Sequence, residues 1–303
     1  MPKNRLPIFN LIWMTVISMM LTSCAFNKLF LQPTKISVSV KKLMMKSAED
    51  STLVLFSGKN HQPVFIKNGK DTLEQNFTIE SILFVNSNGS ELNGWLLKSK
   101  NSLPTITLLH LHGNAGCLLS QFKAISPMVE KGFQIFMFDY SGFGFSQGKA
   151  SRKNVFKDAN AALDYIKNRQ DIKNTKIVLY GQSLGGHLAA VVAEKRENDI
   201  DGLITEGAFS SHKDIGGHIV PFFGKLFVKQ GYSALKSIKK YNKPLLVIHS
   251  TEDKTIPFFM SQKIFDAANS PKLFYEVKKC HICAPQFYAD SIEIKIKNML
   301  EIK

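Results

Sequence analysis

The run KIVLYGQSLGGHLAA, residues 176–190, constrains the fold of this chain more than any other stretch. Its first half is apolar and β-rich, its second half is built of helix formers, and Gly181-Gln182-Ser183-Leu184-Gly185 sits at the junction. A serine on a sharp strand-to-helix turn is thrust outward where it can attack a substrate. Strand and helix then crowd the positions two before and two after it, so a side chain at Gly181 or Gly185 would clash. The helix N-terminus behind Ser183 also favours negative charge developing beside it. The five-residue pattern alone occurs often by chance. Its strand-before, helix-after setting is what makes Ser183 the candidate nucleophile.

The rest of the chain repeats this rhythm. Apolar, β-rich runs at 105–113, 133–142, 176–183, 202–209, 244–253 and 272–281 alternate with helical stretches near 117–131, 153–169, 184–196, 258–269 and 284–301. Runs apolar throughout and separated by helices predict parallel strands buried on both faces. Ahead of them, FTIESILFVNSNGSELNGWLLKSK (77–100) predicts an antiparallel hairpin turning at Asn88-Gly89. The fold class is therefore α/β: a mostly parallel central sheet with an N-terminal antiparallel hairpin and helices on both faces, over 76–303. The Phe-rich, partly amphipathic stretch at about 210–242 predicts a small helical cap inserted over the site. The plainer alternative is an ordinary crossover helix with a long entry loop. Residues 24–75 are polar, lysine-rich and weakly periodic, and are expected to form a tether and an irregular lead-in.

A nucleophilic serine needs an oxyanion hole, a base and an orienting acid. LHLHGNAGC follows the 105–111 strand and supplies the hole: the backbone N–H of Asn114, with Ala115 as second choice, beside the N–H of Leu184. Gly113 and Gly116 let backbone approach a substrate closely, and His112 is read as a brace for this loop. With a serine at such a turn, chain order runs Ser, acid, His. Asp253, at the end of VIHSTED, is the candidate acid. Its neighbour Glu252 faces away, and Glu206 is a third choice. Of eight histidines, His281 alone follows Asp253, and it lies in the loop before the final helix. It stands between Cys280 and Cys283. Haem attachment would put a histidine after the second cysteine, where Ala284 stands. A zinc reading finds no second CxxC or HxxxH pair to complete four ligands, so no metal is expected.

The N-terminus has a separate purpose. MPKNRLPIFNLIWMTVISMMLTSC carries two positive charges and no acid, then an apolar run ending in Leu21-Thr22-Ser23-Cys24. These are the parts of a signal peptide, 1–23. Leu-Thr-Ser-Cys resembles the lipobox of bacterial lipoproteins, which implies cleavage before Cys24 and its acylation. Ala25 after the cysteine implies sorting to the outer membrane in a diderm organism. The alternative is an uncleaved anchor, for which a run of 16 residues is short of the ~20 that span a bilayer. Export would leave Cys117, Cys280 and Cys283 in an oxidising space, where a Cys280–Cys283 bridge, or one to Cys117, can form. The net charge of +15 is spread over scattered lysines with no basic block or interleaved aromatics, so nucleic acid is not an expected partner.

HLHGNAG, FDYSGFGFSQG, GQSLGG, IHSTEDKTIP and CHICAPQF, in that order, resemble the α/β-hydrolase superfamily, in particular its compact serine-hydrolase branch with an HGNAG-type loop and a short cap. The likeness runs from about residue 78 to 301. It implies hydrolysis of esters, thioesters or amides through an acyl-enzyme, without cofactor, and an Asp139 that organises the DYSGFGFSQG loop. One departure is Cys280 before His281, where the family usually has glycine. The resulting expectation is a lipid-anchored serine esterase or thioesterase acting on a small or lipid-like acyl substrate, with Phe222, Phe223 and Phe227 as apolar candidates in the cap. A peptidase or amidase of the same fold, and a non-catalytic envelope binding protein on this scaffold, are the alternatives.

Overall fold

The computed structural model describes residues 30–46, 51–67, 71–73 and 75–302; the expected signal peptide and Cys24 lie outside them. In chain order the strands are β1 (Gln32–Pro33), β2 (Lys42–Lys46), β3 (Ser51–Ser57), β4 (Gln62–Lys67), β5 (Asp71–Thr72), β6 (Phe77–Val85), β7 (Glu91–Ser99), β8 (Ile106–Leu111), β9 (Ala115–Gly116), β10 (Phe133–Phe138), β11 (Lys176–Gln182), β12 (Gly202–Glu206), β13 (Leu245–Ser250) and β14 (Lys272–Val277). Eight of them form one sheet in the order β14-β13-β12-β11-β8-β10-β7-β6. It is parallel from β14 to β10, and the β6–β7 hairpin adds antiparallel to β10.

All six residues of β8, β10 and β13 are buried, as apolar runs covered on both faces require. Alternation splits them between two cores. Phe136 and Phe138 pack with Leu109, Leu111, Leu163 and Leu188 on one face. Phe133, Ile135 and Met137 pack with Trp95, Leu108, Ile125 and Ile292 on the other. Four or five apolar side chains per strand, buried at ~1.5–3 kcal/mol each, make this sheet the main store of stability.

The stretch expected to be an irregular lead-in is ordered. Strands β2 to β5 form a four-stranded antiparallel sheet. Its buried face, Val54, Phe56 and Phe65, joins the second core, with the Phe65 ring 5.3 Å from Phe122 and 6.2 Å, edge-on, from Trp95. Ahead of it, β1 pairs in parallel with β9 in the loop after β8. Gln32 N–H donates to the Asn114 carbonyl at 2.7 Å, Thr34 N–H to that of Gly116 at 2.8 Å, and Ile36 N–H to that of Gly144 at 2.8 Å. The N-terminal segment is thus a strap across two loops at the carboxyl ends of the parallel strands.

Between β12 and β13 stand the short helices His212–Ile219, Gly224–Phe227 and Ala234–Ser237, where the insertion was expected. The first two cross closely at glycines: a Cβ on Gly224 would lie 1.9 Å from the Gly216 carbonyl oxygen. Among the described residues no helix is long and apolar enough to cross a membrane.

If the 42–72 sheet is integral to the fold, Phe65→Ala should cost about 3–5 kcal/mol, the usual range for a buried phenylalanine. Denaturant unfolding measures it, and a loss below about 0.5 kcal/mol would make the sheet an appendage.

Candidate active site

Ser183 follows β11 directly and opens the helix Leu184–Lys195 with φ +56° and ψ −115°. That conformation costs a non-glycine residue ~1–3 kcal/mol and persists only where neighbours enforce it. Here they do. A Cβ on Gly181 would lie 2.2 Å from the Gly185 carbonyl oxygen, and one on Gly185 1.8 Å from that of Leu111 in β8. The Ser183 N–H donates to the Glu206 carbonyl at the end of β12, at 2.8 Å.

Ser183, Asn114 and Leu184 line one cavity of about 110 Å³, closed by Phe30, Phe209, Ile215, Ile219, Thr255 and Ile256. Of the two expected choices in the loop after β8, Asn114 faces this cavity. Ala115 instead pairs with Gln32 in β1 and accepts from Gln121 Nε2 at 2.8 Å. His112 acts as the expected brace. It is buried, and burial lowers its pKa to about 3, so the ring is neutral. Its Nδ1 lies 2.8 Å from the Gly113 carbonyl and donates to it. The peptide is trans-planar, so fixing that carbonyl sets the Asn114 N–H on the opposite side of the same plane.

His281 Nδ1 lies 2.5 Å from Asp253 Oδ2, and His281 Nε2 is buried with no hydrogen-bond partner among the described residues. Asp253 Oδ1 accepts the N–H groups of Thr255 and Ile256 at 2.8 and 2.9 Å. Burial pushes the Asp253 pKa up. Hydrogen bonds from His249 and His281, the His281 charge and the Ile256 N–H outweigh it and hold the carboxyl well below the usual carboxylate range. His249 went unnoticed in the sequence. It is fully buried in β13, with Nε2 at 3.2 Å from Asp253 Oδ2 and 3.0 Å from the Ile256 carbonyl. Both are acceptors, so Nε2 carries the proton.

The other two carboxylates hold the histidine loop. Glu252 accepts the Lys279 N–H at 3.0 Å. Glu206 is buried and accepts three bonds: from Tyr180 Oη at 2.9 Å, Gln182 Nε2 at 2.8 Å and the Ala284 N–H at 2.8 Å. Burial raises its pKa, and these bonds oppose the rise. Gln182 Nε2 also reaches the Ile282 carbonyl at 3.2 Å, and Ser250 Oγ donates to the Lys279 carbonyl at 2.6 Å. Cys280 and Cys283 are bonded to each other, which removes both thiolates that a zinc reading needs, while Cys117 is a buried free thiol. Burial pushes the Cys117 pKa up to about 11.

Asp139 sits where the resemblance implied. Its Oδ1 accepts the Leu118 N–H at 2.6 Å, and a Cβ on Gly144 would lie 1.8 Å from its Oδ2. Burial raises its pKa to about 7 against the backbone N–H groups of Leu118 and Phe145. Phe222 and Phe223 are exposed rather than in the cavity, and among the described residues the rings that line it are Phe30 and Phe209.

Among known proteins, a sequence profile of the alpha/beta hydrolase fold matches residues 106–235. The uncharacterized protein YfhR of Salmonella typhi is 36% identical over 207 residues, covering 64% of this chain and 70% of that one. The alpha/beta hydrolase domain-containing protein WAV2 of Arabidopsis thaliana is 31% identical over 217 residues, covering 65% and 70%. The Pyrococcus furiosus esterase Pf2001 superposes with a TM-score of 0.60 at 18% identity, covering 74% of this chain and 92% of that one. Est1E from Butyrivibrio proteoclasticus, with ferulic acid bound, gives 0.60 at 18%, covering 73% and 98%.

Replacing Glu206 by alanine would leave three buried donors unpaired, each worth ~1–3 kcal/mol. A loss of about 3 kcal/mol or more in denaturant unfolding is expected; an unchanged midpoint would show that water replaces the carboxylate.

Proposed function

Because this chain belongs to the α/β-hydrolase superfamily, we propose that it is a serine esterase or thioesterase that removes a short acyl group. One observation carries the reading. A serine held at φ +56° shares a cavity with Asn114 and Leu184, while a histidine bonded through Nδ1 to Asp253 keeps its Nε2 buried, with no hydrogen-bond partner among the described residues. Such an Nε2 can take the proton of the serine hydroxyl.

In this mechanism Ser183 Oγ attacks the acyl carbonyl carbon as His281 Nε2 takes its proton. The carbonyl oxygen becomes an oxyanion held by the Asn114 and Leu184 N–H groups, a kind of stabilisation worth ~3–4 kcal/mol per donor. Collapse expels the alkoxide or thiolate, which leaves with the proton from His281. A water then gives its proton to His281 and attacks the acyl-enzyme. The acid departs and the proton returns to Ser183 Oγ. Asp253, held ionised, keeps the proton on Nδ1 between these steps and stabilises the imidazolium that each one forms.

The small cavity supports a short acyl group: about 110 Å³, against the ~300–1,000 Å³ of sites for drug-sized ligands. That Pf2001 is an esterase and that Est1E holds ferulic acid are in keeping with an ester. The lipobox-like LTSC at 21–24 supports placing the enzyme at the bacterial envelope, anchored through Cys24.

Ser183→Ala should abolish both labelling by a fluorophosphonate probe and hydrolysis of p-nitrophenyl acetate, with Tm nearly unchanged. Labelling that survives the substitution would sink the assignment. Phe30→Ala should shift the preferred p-nitrophenyl ester to a longer acyl chain, read as kcat/KM across a graded series; an unmoved optimum would place the acyl chain elsewhere.

A further inference from the structure

The turn between the helices His212–Ile219 and Gly224–Phe227 carries side chains that neither the core nor the cavity explains. Phe222 is 94% exposed, Leu226 78%, Phe223 61% and Ile219 52%. Four large apolar side chains so bare within eight residues mark an interaction site rather than ordinary surface scatter. The turn is held rather than loose. Gly224 N–H donates to the Val220 carbonyl at 2.8 Å, Leu226 N–H to the Phe223 carbonyl at 2.9 Å, and the close crossing at Gly216 and Gly224 locks the two helices together. Phe222 sits at φ +68°, a left-handed conformation that a bulky residue adopts only under constraint. Ile219 belongs both to this tip and to the wall of the Ser183 cavity.

Charge around the tip has one sign. Residues 211–242 contain six lysines and a single acid, Asp214. Asp214 accepts from Ser210 Oγ at 2.7 Å, while Lys213, Lys225 and Lys229 are exposed. An apolar tip ringed by lysines complements an anionic bilayer, with rings entering the acyl boundary and ammonium groups at the phosphates. The chain path agrees. Phe30, edge-on to His212 with ring centroids 4.9 Å apart, is six residues from Cys24. Six extended residues span at most ~20 Å, so a lipid on Cys24 would keep this face close to the membrane.

We propose that the Ile219–Leu226 tip is a second membrane contact: it docks on anionic phospholipid and turns the mouth of the Ser183 cavity toward the bilayer. This goes beyond the hydrolase reading and does not depend on turnover.

The test uses the full chain carrying Trp13→Phe, which leaves the buried Trp95 as a constant background, with and without Phe222→Trp. Each protein is reconstituted in vesicles whose acyl chains are brominated, made of either phosphatidylglycerol or phosphatidylcholine. The N-terminal segment can hold the protein to both. The indole introduced by Phe222→Trp should be blue-shifted and quenched, roughly twofold or more, in phosphatidylglycerol and much less in phosphatidylcholine. Emission unquenched in phosphatidylglycerol overturns the proposal. So does a blue shift in detergent that grows with protein concentration, which would assign the tip to a second copy of the chain. Equal quenching in both lipids overturns the anionic preference. A cooperative thermal transition at the parent Tm shows that each variant is folded, and a folded, quenched protein that takes no fluorophosphonate would separate failure of the hydrolase reading from failure of this one.

Discussion

The structure turns on one unfavourable peptide conformation. Ser183 at φ +56° is higher in energy than an ordinary residue, by ~1–3 kcal/mol, and three adjacent strands combine to hold it. β11 delivers it, the Leu111 carbonyl of β8 allows only glycine at 185, and the Glu206 carbonyl of β12 accepts the Ser183 N–H. This works only because β8 and β12 flank β11 in the sheet. The buried apolar strands are therefore what hold the serine outward, and the stability they store is set against the strain at this turn.

Around that turn, carboxylates of one chemical type are pushed in opposite directions by their surroundings. Asp253 meets two imidazoles and two backbone N–H groups, which overcome its burial and keep it ionised. Glu206 is more deeply buried and meets a phenol, a side-chain amide and a single backbone N–H, and burial raises its pKa. The first suits a partner for an imidazolium. The second suits a fixed post to which the histidine loop is tied. The disulfide beside His281 adds a covalent brace to a loop that Gln182, Glu206, Ser250 and Glu252 already hold.

The central sheet could be read directly, because strands buried on both faces leave uninterrupted apolar runs such as LLVIHS. Ser183, Asp253, His281 and Asn114 could be read from their order relative to those strands; the fold sets Ser183 beside Asn114 at one cavity and His281 Nδ1 against Asp253. What escaped notice lacked a local signal. In β3, Thr52, Val54 and Phe56 face the core, but Leu53 and Leu55 between them are also apolar and hide the alternation. Pro63 inside β4 argues against a strand. His249 looks like one more buried residue of an apolar strand, since its partner becomes visible only when the chain folds back at Asp253. Phe30 lies in no motif, and its place in the cavity is set by pairing with a loop more than eighty residues away. Phe222 and Phe223 were expected to offer the cap an apolar face toward the substrate; the short turn that joins their helices leaves both exposed.

The β1 strap has a mechanical consequence. Load applied at the N-terminal end of the described residues would pass Phe30 and then run along Gln32–Ile36 before it reached the central sheet. The first bonds to bear it are those to the carbonyls of Asn114, Gly116 and Gly144, and the first side chain to be drawn on is Phe30 in the wall of the cavity. Tension on this segment would thus be felt at the Ser183 cavity before the sheet behind it.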